Sequence, residues 1–125
     1  MAPDHRTLDL LTALAEPTRL RIVNCLAAAP LFVSELQAIL GVPQPTVSRH
    51  LRVLRDVGLV RDTPIAQYVL YRLRRPAEPL GRVLGSVLEC AQQESALAGE
   101  RAESIDRSRQ HARDRLETDT EGRPA

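Results

Sequence analysis

Apolar residues recur at helical spacing along most of this chain, and the interruptions of that spacing predict where its elements end. Residues 7–15 and 17–28 have the apolar periodicity of two helices. Two shorter helices are predicted between residues 34 and 57, with Gly41-Val42-Pro43 as their turn. Glycine accepts a left-handed backbone and proline cannot continue a helix. The first half of the chain is therefore predicted to be helical.

After Gly58 the spacing changes to that of β-strands. Residues 59–61 and 68–73 are rich in β-branched and aromatic side chains, which predicts a hairpin joined by the six residues between them. Beyond a linker that contains two prolines, an apolar stripe predicts one long helix over residues 80–115. The members of that stripe are Leu80, Val83, Leu84, Val87, Leu88 and Ala91. Residues 116–125 are expected to form a disordered tail.

These elements predict a fold that is mostly α with a small β-hairpin, in one domain over residues 1–115. A chain of 125 residues has room for one such domain and a tail. No apolar run approaches the roughly 18 residues that span a membrane, and no signal peptide opens the chain, so we expect a cytoplasmic protein without a membrane partner. No glycine-rich phosphate loop or nucleophile motif occurs, and an enzyme is not predicted.

The second short helix, predicted over residues 45–57, has two chemically different faces. Its apolar face carries Val47, Leu51 and Leu54. The residues at its N-terminal end and on its other side are Gln44, Pro45, Thr46, Ser48, Arg49, Arg52 and Arg55. Glutamine pairs with adenine and arginine with guanine in the major groove, while hydroxyl groups suit phosphate oxygens. This helix is therefore predicted to read DNA; the alternative is an ordinary amphipathic helix with a solvated basic face.

The surroundings of this helix complete the predicted motif. Ser34 and Gln37 have the spacing of a capping box, so the preceding helix is predicted to begin at Ser34. His50 lies at the edge of the apolar face, and we expect it to pack against a neighbouring helix rather than to contact a base. Two short helices followed by a β-hairpin are typical of a winged helix-turn-helix, a DNA-binding motif.

Three blocks of sequence occur in a distinctive order and spacing: LAEPTRLRIVNCL at 14–26, QPTVSRHLRVLRDVGLV at 44–60 and YVLYRL at 68–73. These blocks resemble the ArsR-type (arsenic-repressor-like) family of bacterial transcriptional repressors. The resemblance implies a dimeric winged helix that binds operator DNA and releases it when an inducer binds. The contact positions of the family correspond here to Gln44, Pro45, Ser48 and Arg49.

A homodimer is indicated both by the resemblance and by the apolar stripe of the long helix, which a small domain cannot easily cover alone. We expect this helix to pair with its copy and with the first helix, where Leu8, Leu11 and Ala15 form a stripe. Two reading helices would then enter successive major grooves about 34 Å apart, so the operator should be an imperfect palindrome. The predicted wing tip, residues 63–67, is neutral and lacks glycine, and we assign it no DNA contact. A winged helix used only for protein–protein assembly is the alternative.

The metal sites that the resemblance implies lack their ligands in this sequence. The positions of a two-cysteine site hold Phe32 and Ser34. A second type of site takes carboxylates and several imidazoles from the C-terminal helix, which here has only His111. A stable site needs about four N, O or S ligands, so we assign no metal site and no required cofactor.

Two cysteines remain as candidates for sensing. A subset of the family senses persulfide or oxidants through one cysteine in the second helix and one in the C-terminal helix. Cys90 matches the second position, and Cys25 lies one residue after the first, which is Asn24 here. We hypothesise that thiol chemistry at Cys90, linked to Cys25 or to Cys90 of the partner subunit, releases DNA. An arsenite-like ion held by the cysteines of both chains, or no thiol sensor at all, are the alternatives.

Overall fold

A computed structural model of the chain describes the backbone of residues 6–121 and the side chains of residues 6–114. Six helices and three short strands occur in this part of the chain. In order they are α1 (Arg6–Leu14), α2 (Pro17–Ala28), β1 (Leu31–Phe32), α3 (Val33–Leu40), α4 (Gln44–Asp56), β2 (Val60–Ile65), β3 (Tyr68–Leu73), α5 (Leu80–Gln92) and α6 (Ser95–Glu121). The arrangement is a winged helix-turn-helix, which confirms the predicted fold class.

The core lies between α1, α2, the helix-turn-helix and the inner face of α5. Its largest fully buried apolar side chains are Ile22, Leu31, Leu36, Leu51, Leu54 and Leu84. Burying one such side chain stabilises the fold by about 1.5–3 kcal/mol. Because Leu51 and Leu54 belong to α4, this burial determines which face of α4 is left for solvent.

The turns of the helix-turn-helix lie where the sequence predicted them. Gly41 ends α3 and Gly58 follows α4, with left-handed φ angles of 68° and 81°. The start of α3 differs from the prediction. The helix begins at Val33, and the Glu35 carboxylate accepts a hydrogen bond from the Phe32 N–H at 2.9 Å. The predicted Ser34 capping box is therefore wrong, because Phe32 is the N-cap residue and Ser34 already lies in the first turn of the helix.

The wing is longer than the sequence predicted. β2 and β3 pair from Val60↔Leu73 to Ile65↔Tyr68, so only two residues connect them instead of six. Pro64 lies inside β2, but β2 is an edge strand in the order β1-β3-β2, where a missing N–H disturbs no second ladder. β1, which the sequence did not predict, adds a third strand by pairing Phe32 with Leu70.

The segment predicted as one helix over residues 80–115 is divided in two. α5 ends at Gln92, and tight turns in which the N–H groups of Gln93 and Glu94 bond three residues back redirect the chain into α6. α6 then lies along α2 and reaches α3 and β1. The helix continues to Glu121, through the start of the tail predicted to be disordered, since neither glycine nor proline occurs in α6 after Gly99. Residues 122–125 lie outside the described part.

Candidate nucleic-acid interface

The exposed face of α4 carries the residues that the sequence proposed for DNA. Solvent-exposed positions on this helix include Gln44, Pro45, Ser48, Arg49 and Arg52, and Thr46 is half-buried. On the opposite face, Val47, Leu51 and Leu54 are at most 1% exposed. Pro45 lies in the first turn of α4, where its missing N–H removes no helical hydrogen bond. The structure thus brings the six proposed residues to one end and one side of a helix; that they contact DNA stays a prediction.

The arginines of α4 differ in their partners. Arg55 lies 3.4 Å from the Asp62 carboxylate of β2, and this ion pair joins the helix to the wing. Arg49 and Arg52 make no side-chain hydrogen bond or ion pair with any residue that the structure describes. Two guanidinium groups without a partner among the described residues, three positions apart, therefore face solvent along the middle of α4. Such groups suit phosphate oxygens and the guanine edge.

His50 packs against a neighbouring helix, as the sequence predicted, near the start of α2. Its side chain is 14% exposed, and Nδ1 lies 3.6 Å from Oε2 of Glu16, the residue that caps α2. Although partial burial raises the pKa of Glu16, the backbone N–H groups of Arg19 and Thr18 and the charge of His50 lower it below its ordinary value. At 3.6 Å the two groups form no hydrogen bond, and Nδ1 of His50 has no hydrogen-bond partner among the described residues. The Glu16 carboxylate is therefore a neighbouring charge at the middle of α4.

The wing carries a basic pair that sequence reasoning missed. Arg61 and Arg72 are directly opposite in the register of β2 and β3, and both side chains are exposed. Like charges at such positions destabilise a sheet unless an anion lies between them. The sequence pattern does not indicate this pair, because the pairing register that brings the two arginines together depends on how the strands meet in the fold.

The two cysteines have different environments. Cys25 is fully buried, close to Ser104 of α6, and burial raises the pKa of its thiol to about 11. Cys90 is exposed on α5, and both cysteines are free thiols. The thiolate is the reactive form of cysteine, so Cys90 is the accessible nucleophile of the pair.

Of the two positions of the implied two-cysteine metal site, Phe32 belongs to an aromatic cluster and Ser34 is exposed. The Phe32 ring packs edge-on against Tyr68 at 6.0 Å and against His111 of α6 at 5.2 Å. Nδ1 of His111 also lies 2.9 Å from a carboxylate oxygen of Glu35. Within the described ranges, no group of three or more His, Cys, Asp or Glu side chains is arranged to hold a metal ion. The residues present do not fit a metal of the implied kind.

None of the helices in the described part is both long and apolar enough to span a membrane.

Comparisons with known proteins agree with this geometry. Residues 16–62 match the family model described as bacterial regulatory protein, arsR family. The biofilm growth-associated repressor of Xylella fastidiosa (strain 9a5c) is 36% identical over 93 residues, which cover 74% of this chain and 81% of the repressor. Among solved structures, HlyU from Vibrio cholerae N16961 superposes with a TM-score of 0.61 at 32% identity, covering 68% of this chain and 90% of HlyU.

A further relative is similar over a shorter region. The HTH-type transcriptional repressor SmtB of Mycobacterium tuberculosis (strain ATCC 25618 / H37Rv) is 46% identical over 65 residues, or 52% of this chain and 48% of SmtB. The chain spans about half the length of that curated relative. Both sequence relatives are named as repressors and neither as an enzyme. The match to most of the Xylella protein, together with the observed fold, shows that the chain belongs to the arsR family of bacterial regulatory proteins.

Proposed function

We propose that the protein is a transcriptional repressor that binds operator DNA through the exposed face of α4, from its N-terminal end to Arg52. The observation that carries this proposal is that Arg49 and Arg52 are exposed and have no hydrogen-bond or ion-pair partner among the described residues, while the opposite face of α4 is buried in the core. In the proposed complex, Gln44 and Arg49 contact base edges. Thr46, Ser48 and Arg52 contact phosphate oxygens, and Pro45 packs at the groove entrance. A bacterial operator lies in the cytoplasm, which is the compartment we expect.

The proposal includes a homodimer formed by α1 and α5. Leu8 and Leu11 of α1 are 60% and 49% exposed, and Val83 of α5 is 37% exposed. The core takes Leu10, Ala13 and Leu14 instead, so the stripe that the sequence predicted on α1 faces outward. Covering it with a second copy would place the two reading helices on one side of the dimer, with an imperfectly palindromic operator.

For the inducer, we propose chemistry at Cys90. This thiol is exposed on α5, one of the two helices of the proposed dimer face, whereas Cys25 lies beneath α6. A peroxide would oxidise the Cys90 thiol to a sulfenic acid and be reduced to water. A polar group at that helix would weaken the pairing of subunits and thereby DNA binding. Oxidant, persulfide donor and arsenite titrations of operator binding test this, and intact responses in Cys90→Ser would contradict it.

The DNA proposal is tested by fluorescence anisotropy with the duplex of the protein's own promoter and a random duplex, each at several salt concentrations. If each subunit neutralises about three phosphates, log affinity falls with log salt at a slope near about −5. We expect a salt-sensitive preference for the promoter. Equal affinity for both duplexes would overturn the proposal.

A double substitution separates DNA binding from the alternative, a winged helix that only assembles proteins. Arg49→Ala with Arg52→Ala should abolish the preference for the promoter and leave the dimer intact. Arg109→Ala with Arg113→Ala removes the same two charges from exposed positions of α6 and serves as the control. If both double variants bind DNA like the wild type, α4 does not read DNA.

A further inference from the structure

A cavity of about 520 Å³ lies at the end of α4 that is remote from the proposed DNA contacts. Its walls are the first turn of α1, Val57 and Gly58 after α4, and the linker that leads from the wing into α5. With a rise of 1.5 Å per residue, the 13 residues of α4 separate this cavity from Gln44 by about 20 Å. The cavity therefore lies outside the surface proposed to read DNA.

The charge of the cavity wall is strongly one-sided. Arg6, Arg74 and Arg75 line it, and Glu78 is the one carboxylate among its described lining residues. Glu78 forms an ion pair with a residue outside the lining, since its Oε2 lies 3.2 Å from Nη1 of Arg82. The side chains of Arg74 and Arg75 are exposed and make no hydrogen bond or ion pair with any described residue. The linker therefore presents two unneutralised guanidinium groups to the cavity.

The floor of the same cavity is apolar. Val57, Pro76 and Leu80 line it, and a smaller space of about 90 Å³ shares these residues and continues to the buried side chains of Leu10 and Leu59. The charged residues in the lining of that smaller space are Arg6 and Asp9. A pocket with a cationic rim and an apolar floor suits a ligand with a negative head and an apolar body, because a guanidinium binds an oxyanion through two hydrogen bonds while apolar surface leaves water.

We propose that this cavity binds a small organic anion. The carboxylate or phosphate of the ligand contacts Arg74 and Arg75, and its apolar part lies on Val57 and Leu80. The consequence for regulation rests on the proposed function. Residues of α1, of α5 and of the segment after α4 meet at this cavity, so an occupant contacts both proposed dimer helices and the end of the reading helix. If the anion binds more tightly to the subunit arrangement that lacks DNA, it shifts the protein toward that arrangement and the operator is released.

The binding half is tested by NMR titration of the full chain with benzoate, with benzyl alcohol as its neutral isostere and with inorganic phosphate. We expect benzoate to shift the amide resonances of Gly58 and of residues 74–81, and to bind more tightly than either comparison compound. Arg74→Gln with Arg75→Gln should weaken benzoate binding about tenfold, since charge-assisted hydrogen bonds are lost. Arg109→Gln with Arg113→Gln, on α6, should leave it unchanged. Absent shifts, or equal binding of benzyl alcohol or of phosphate, would overturn the proposal.

The regulatory half is tested by anisotropy with the promoter duplex. Saturating benzoate should lower the affinity of the wild type and not that of the Arg74→Gln, Arg75→Gln variant, and the two proteins should bind DNA equally without benzoate. If the variant alone shows weaker DNA binding and a smaller salt slope, these arginines contact DNA and the proposal is overturned. If benzoate leaves DNA affinity unchanged, the regulatory half is overturned. A wild type that shifts with benzoate but never binds the promoter contradicts the proposed function and leaves the anion site standing.

Discussion

The guanidinium of Arg21 on α2 binds the carboxylate of Glu100 on α6, across 79 positions of the chain. Nε of Arg21 lies 3.1 and 3.2 Å from the two carboxylate oxygens, and Nη2 lies 2.5 Å from Oε2. The same Nη2 donates to the carbonyl oxygen of Leu40, the last residue of α3, at 2.9 Å. One side chain thus joins α6 to α2 and to the helix that precedes the reading helix.

Glu100→Gln should lower the free energy of unfolding by about 1–2 kcal/mol, since hydrogen bonds between charged groups are worth more than neutral ones but Arg21 remains 31% exposed. Glu103→Gln is the control, because its ion pair with Arg107 lies on the surface and should contribute less than about 0.5 kcal/mol. Urea unfolding followed by circular dichroism measures both. Equal losses would show that the Arg21 pair does not anchor α6.

The thiols should react at very different rates. With a pKa of about 11, only about one Cys25 in a thousand is a thiolate near pH 8, and α6 covers it. Cys90→Ser should therefore react with a disulfide reagent only after denaturant is added, whereas Cys25→Ser should react at once. A rapid native-state reaction of Cys90→Ser would mean that α6 opens readily.

The raised pKa of Cys25 also makes stability depend on pH. The folded state favours the protonated thiol, so its contribution is present below the ordinary pKa of 9.0 and is lost as the pH rises through about 11. Between about pH 8 and about pH 11, the wild type should lose about 2 kcal/mol more unfolding free energy than Cys25→Ala. Parallel curves for the two proteins, measured by denaturant unfolding, would contradict the burial of this thiol.

Gly81 and Gly85 provide a matched pair on α5. A Cβ at Gly81 would lie 2.8 Å from the carbonyl oxygen of Pro76 and 2.7 Å from Oε1 of Glu78, whereas nothing lies within 4 Å at Gly85. Gly81→Ala should destabilise the protein by about 1–3 kcal/mol because the linker must move. Gly85→Ala should instead stabilise it by about 0.5–1 kcal/mol, since alanine favours the helix. Thermal unfolding measures both stability changes. Changes of the same sign in the two variants would contradict the close approach of the linker to Gly81.

Substitutions of Arg49 and Arg55 distinguish an arginine proposed to contact DNA from one that joins α4 to the wing. Arg49→Ala should lower the binding free-energy difference between the promoter and random duplex by about 1–3 kcal/mol. The reason is that Arg49 is exposed and has no ion-pair or hydrogen-bond partner among the described residues, so its guanidinium is available to a base. Arg55→Ala should change that preference by less than about 0.5 kcal/mol, since its guanidinium is 3.4 Å from Asp62. Anisotropy titrations compare the two. The reverse order would place the DNA at the other end of α4.

Leu11→Asp tests the proposed dimer face. Because a two-fold dimer carries the substitution in both subunits, the interface loses two leucines and gains two carboxylates. The dimer dissociation constant should therefore rise about a hundredfold or more. Ala102→Asp, at an exposed position of α6, adds the same charge and should leave the dimer intact. Analytical ultracentrifugation measures both. A Leu11→Asp protein that remains dimeric would exclude α1 from the interface.

Local sequence pattern was enough to predict the helix-turn-helix and the exposed face of α4. These features are local: Gly41 and Gly58 end helices through their left-handed φ angles, and the spacing of Val47, Leu51 and Leu54 specifies which side of α4 is buried. Ser48, Arg49 and Arg52 follow from that spacing, Gln44 and Thr46 from their place at the start of the helix, and Pro45 from the family resemblance.

Other features depend on contacts between residues that are distant in the chain, and these could be read only from the folded structure. Periodicity predicted an apolar stripe at Leu8 and Leu11, but which stripe of α1 enters the core depends on what packs against it. The path of α6 along α2 is stabilised by contacts such as that of the Asn24 side chain, whose Nδ2 donates to the Leu97 carbonyl in the first turn of α6 at 2.8 Å. Strand register likewise brings Arg61 opposite Arg72. Hydrophobic spacing specifies a face of an element, whereas its partner is chosen by burial and hydrogen bonding that a local pattern does not contain.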